Sequence, residues 1–177
     1  MFPTRHLDIY LNDHLAGAMV GVELSRRVAK SNRGTPSGEF LERLHREIVE
    51  DRRTLQGIAR ALGADSSPMK PAVAWIAEKA GRLKLNGQIR GYSPLSRLVE
   101  LEGLEVGVTG KRSLWQALSR AFLDDARLAG FDLDALVTRA DQQLEGLREH
   151  RLSVARDALT AVPGSPDRKP ANVETRS

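Results

Sequence analysis

Apolar side chains recur at three- and four-residue spacing from the start of the chain: Leu7, Leu11, Leu15, Ala18, Val22 and Ser25 share one face and predict an amphipathic helix from about Leu7 to Ser31. The polar run Ser31-Asn32-Arg33-Gly34-Thr35-Pro36-Ser37-Gly38 breaks it. A second stripe of Leu41, Leu44, Ile48, Leu55, Ile58 and Leu62 predicts a second helix, so the two form a helical hairpin. Gly63-Ala64-Asp65-Ser66-Ser67-Pro68 stops that helix and opens a long connection. One short helix is expected there, Pro71 to Ala80, with Trp75 and Ile76 available for packing, followed by a turn-rich stretch from Gly81 to Gly91.

Ser93 followed by Pro94 is the favoured pair for a helix start, and a third helix is expected from there to about Phe122. Its apolar face is read as Leu95, Val99 and Val106, with Glu102 central among them. Gly103, Gly107 and Gly110 weaken this helix, since glycine costs about 1 kcal/mol against alanine. With Gly17 and Gly21 they are read as points where another helix comes close. Asp132 caps the fourth helix, whose stripe is Leu133, Leu136, Val137, Ala140, Leu144, Leu147, Val154 and Ala158, ending near Thr160. The fold class is therefore all-α: a bundle domain over 1–161 made of two helical hairpins joined by a long crossover, then a tail over 162–177 expected to be disordered for want of apolar periodicity.

Composition narrows the chemistry. A chain of 177 residues suits one domain, and without cysteine it has neither disulfides nor thiolate metal sites, so a metal must be held by His, Asp or Glu. No apolar signal region opens the chain and no stretch is apolar for the length of a membrane span, so a cytoplasmic location is expected. Twenty-seven basic against 23 acidic side chains give +4, a mixed surface that points only weakly to a nucleic-acid partner.

In helix order and crossover position the chain resembles the ferritin-like superfamily, in particular its small bacterial stress-associated branch, over Leu7 to Thr160. The resemblance implies a four-helix bundle; in di-iron members two helices each supply a glutamate and the other two each supply a Glu-x-x-His pair. Glu42-Arg43-Leu44-His45 spells one such pair, but Glu42 lies outside the apolar stripe. In the fourth helix Leu147 stands three residues before His150, so the di-iron motif is read as degenerate.

If the crossover runs the length of the bundle, Glu23, His45, Glu102 and His150 come to one level near one pole. They are then the candidate ligands of a reduced iron or manganese site; otherwise no cofactor is implied. The simpler reading makes Glu102 the partner of a buried Arg151, because an isolated buried carboxylate is costly. Asp51, on the second stripe, is paired in the same way with His14. Lys84, Arg90, Arg97 and Arg27 lie in segments free of acid and are the candidate anion-binding residues. No Ser-His-Asp grouping or nucleotide loop can be assigned, and no residue receives a catalytic role. The chain is expected to act as a ferritin-like binding or structural module for a protein partner or a second copy. A reduced metal-binding, oxidative-stress protein and a binder of anions or nucleic acid through the basic pole are the alternatives.

Overall fold

The computed structural model describes residues 5–64 and 93–160. Within them every regular element is helical: α1 Arg5–Ser31, α2 Gly38–Ala61, α3 Pro94–Ala121 and α4 Leu133–Thr160, with a 3-10 turn at Ala126–Leu128 between the last two. The expected short helix at Pro71 to Ala80, the turn-rich stretch and the tail lie outside the described residues. No described helix is long and apolar enough to cross a membrane.

The helix ends follow their local sequence. Ser93 has extended backbone and its hydroxyl accepts from the Ser96 N–H at 3.1 Å, with Pro94 at the first helical position. The Asp132 carboxylate accepts from the Ala135 N–H at 2.8 Å. At the end of α2 the Ala64 N–H donates to the Ala59 carbonyl at 2.9 Å and the Gly63 N–H to the Arg60 carbonyl at 3.1 Å. This double bond pattern needs the left-handed φ of 72° that Gly63 supplies. Nothing in the sequence periodicity announced the 3-10 turn. It forms because Asp125 accepts from the Arg127 N–H at 3.0 Å, while the Arg127 guanidinium reaches the Leu62 carbonyl at 3.4 Å and ties the corner to α2.

The bundle is a ring in which α1 packs on α2, α2 neighbours α4, α4 packs on α3 and α3 neighbours α1. Each neighbouring pair is antiparallel. Ser25 meets His45 across α1 and α2, Arg27 meets Glu100 across α1 and α3, Glu47 meets Gln143 across α2 and α4, and Glu105 meets Arg151 across α3 and α4. In consequence α2 ends and α3 begins at opposite poles. The core is built from Leu11, Leu15 and Val28 of α1, Leu41, Leu44, Ile48, Leu55 and Ile58 of α2, and Leu136, Ala140 and Leu147 of α4.

The third helix departs from the expected face. Leu98, Leu101, Leu104, Val108, Trp115 and Leu118 are buried, whereas Leu95, Val99 and Val106 are 42%, 38% and 73% exposed. Two apolar stripes compete on α3. The one that holds leucines and Trp115 has the larger area to remove from water, and it wins even though Lys111 stands in its middle.

Candidate functional site

Polar residues interrupt the buried stripes of three helices at one level. Asp51 follows Ile48 on α2, Lys111 lies between Val108 and Trp115 on α3, and Gln143 lies between Ala140 and Leu147 on α4. They meet. The Lys111 ammonium donates to one Asp51 oxygen and to the Gln143 carbonyl, and the Arg139 guanidinium donates to the other Asp51 oxygen. Gln143 in turn donates to Glu47 at 2.8 Å, and Arg139 makes a second pair with Glu50 at 3.2 Å. Burial pushes the Lys111 ammonium below its usual range, and the Asp51 carboxylate beside it opposes that shift. With both Asp51 oxygens in ion pairs, a proton taken from a substrate would have to displace a cation.

Above this network lies an apolar groove of about 270 Å³ between α1 and α3. Gly17, Gly21, Gly103, Gly107 and Gly110 line it, together with Leu24, Leu104 and Trp115, and Asp51, Lys111, Arg52 and His14 supply its polar part. The helices touch at one end, where a methyl at Gly103 would stand 3.3 Å from the Leu24 side chain. Further along they do not. A Cβ at Gly17, Gly107 or Gly110 would meet nothing within 4 Å, so these glycines open the groove and bring no helix closer. The expectation of close approach therefore holds for Gly103 alone among the α3 glycines.

Two buried donors in the lining are left over. The indole N–H of Trp115, a fully buried residue, and the Arg52 Nε–H have no hydrogen-bond partner among the described residues. His14 stands edge-on to Tyr10 with ring centroids 4.7 Å apart. Burial lowers its pKa from 6.5, against a smaller opposing influence of Asp13.

The candidate metal ligands are not brought together. His45 takes a hydrogen bond with the Ser25 hydroxyl at 2.9 Å, and His150 one with the Ser37 hydroxyl at 3.0 Å while its ring rests 4.4 Å from that of Phe40. Glu23 is exposed and pairs with Arg26 at 2.7 Å. Glu102 is exposed on the outer side of α3, because it stands one residue, about 100° of helical turn, beyond the buried Leu101. No group of three or more His, Asp or Glu among the described residues is placed to hold a metal.

Both expected polar pairs are also replaced. Arg151 bonds Glu105 at 2.7 Å, the carboxylate that the true orientation of α3 turns toward α4, and leaves Glu102 to solvent. Asp51 bonds Lys111 and Arg139; His14 lines the same groove without a hydrogen bond to it. At the basic pole Arg27 is held by Glu100 at 2.8 Å and Arg33 by Glu42 at 3.3 Å, so carboxylates interleave with the cations there. Arg97 lies half-buried in the first turn of α3, and Lys84 and Arg90 lie outside the described residues.

Sequence reasoning missed Lys111, Arg139 and Gln143. The signal was present for Lys111, three and four residues from Val108, Leu114 and Trp115, and for Gln143, three and four residues from Ala140 and Leu147. No family model, curated protein or solved structure matches this chain.

Proposed function

We propose that this protein is a binding module of ferritin-like layout whose α1–α3 groove holds a small, mostly apolar molecule above the Asp51–Lys111 network. The helix order, the antiparallel neighbours and the opposite poles of the end of α2 and the start of α3 support that layout. The observation that carries the binding function is that Gly17, Gly107 and Gly110 open onto the groove with no neighbouring atom to accommodate. Glycine inside a helix costs about 1 kcal/mol against alanine, and here no helix contact offsets it. Space for a ligand is what these positions provide. The groove exceeds the volume of about 150 Å³ that suffices for benzene in an apolar cavity.

The metal-binding alternative fits the residues poorly. Asp51, the interior carboxylate, is neutralised by Lys111 and Arg139, the two interior-facing histidines are engaged by serines, and Glu23 and Glu102 face solvent.

Titration with naphthalene, followed by the backbone amide shifts of Gly17, Gly107 and Gly110, tests the reading. Saturable shifts confined to the groove are expected in the parent and lost in Gly107→Leu, whose side chain enters the open space. Equal binding by the two proteins, or no shifts at the three glycines, would overturn it. So would a nuclear Overhauser contact in the free protein between the Trp75 indole and Gly107, because the chain would then occupy its own groove.

A further inference from the structure

The groove has a closed end and an open end, and one side chain makes the difference. At the closed end Leu24 of α1 stands across from Gly103 of α3. A Cβ at Gly103 would lie 3.3 Å from the Leu24 Cδ2, and no other residue from elsewhere in the described fold comes within 4 Å of that point. The Leu24 side chain alone therefore fills the gap that this glycine leaves. Because α1 and α3 are antiparallel, seven residues back along α1 and seven forward along α3 bring Gly17 and Gly110 to one level, about 10 Å from the first at 1.5 Å per residue. Nothing lies within 4 Å of a Cβ at either position. His14 and the exposed Asp13 line this second end, which opens to water. Between the two ends Gly21 rests 3.9 Å above the Ile48 side chain, an apolar floor supplied by α2.

We infer that Leu24 is the end wall of the groove and sets the length of its ligand, an elongated hydrocarbon body lying along the α1–α3 seam. This rests on the reading of the groove as a ligand site. Width and length are then set by different residues. Any side chain at Gly17, Gly107 or Gly110 narrows the groove, whereas a shorter side chain at Leu24 lengthens it. Truncation of Leu24 would extend the glycine-lined run by about one helical turn, from Gly107 to Gly103. Leu24 is only half-buried, so its truncation leaves the fully buried core leucines in place.

The series from naphthalene to 2-pentylnaphthalene, titrated into the whole protein by calorimetry, measures that length. Each methylene removed from water is worth about fourfold in Kd, so affinity should climb with the tail until the ligand fills the groove and then level off or fall. Leu24→Ala should leave naphthalene binding unchanged and move this break to tails about two methylenes longer, so that the longest compounds bind about tenfold tighter than they do to the parent. Leu24→Val should move it by about one methylene, and it carries the test should the alanine variant fail to fold. A break at the same tail length in the parent and in either folded variant, or a parent affinity that climbs without a break, would overturn the inference. Absence of saturable binding by every compound, naphthalene included, would instead remove the binding function itself.

Discussion

Asp51 occupies a position in the α2 stripe at which water is excluded, with its side chain 3% exposed. A carboxylate survives there only because Lys111 and Arg139 reach it from two other helices. Their long stems lie along apolar surface while the charged ends converge. Removal of Asp51 would leave two like charges facing each other without compensation. Asp51→Ala is therefore expected to cost about 3–5 kcal/mol of stability, against less than about 1 kcal/mol for Glu105→Ala, whose pair with Arg151 is a third exposed. Urea unfolding of the two variants compares them directly, and similar costs would mean that the network contributes no more than a surface pair. Asp51 was legible as an interior polar residue from its phase with Ile48 and Leu55. Its partners were not, because His14 and Lys111 are both compatible with that level, and the choice depends on which face α3 turns inward.

On the scale of the element, helix existence and boundaries were plain in the pattern, and the caps at Ser93 and Asp132 formed as their side chains require. The rotation of α3 was not plain. Leu95, Val99 and Val106 make a periodic stripe as regular as the buried one, and the correct choice depends on apolar area summed against α1 and α4 together. The glycines behave by element too. Gly107→Ala and Gly17→Ala add a methyl that meets no atom and should stabilise the fold by about 1 kcal/mol each, at the expense of room for a ligand. Gly146→Ala should do the opposite, because its methyl would overlap the Phe40 ring, which is itself stacked on His150. Thermal unfolding of the three variants checks both signs, and a loss of stability in Gly107→Ala would mean that the groove is closed in solution.

For the whole molecule, the two hairpins are joined across α1 and α3 by a seam that is tight at Leu24 and Gly103 and open toward Gly17 and Gly110. His14 lies in that open part, and burial lowers its pKa from 6.5. The unfolded chain then binds a proton near pH 6.5 that the folded chain resists. Below about pH 6.5 the unfolded state therefore holds more protons, so stability falls as pH is lowered from there. His14→Gln should remove that contribution: its stability relative to the parent should improve between about pH 7 and pH 5, measured by urea unfolding at each pH. A constant difference would show that His14 titrates as it does in the unfolded chain. The sequence by itself determined the helical class, the position of four helices and most of their buried faces, because these depend on periodicity and on capping groups a few residues apart. Tertiary structure alone decided which stripe of α3 is buried, which cations neutralise Asp51, and that three glycines frame a groove, because each of these depends on surfaces contributed by helices remote in the chain.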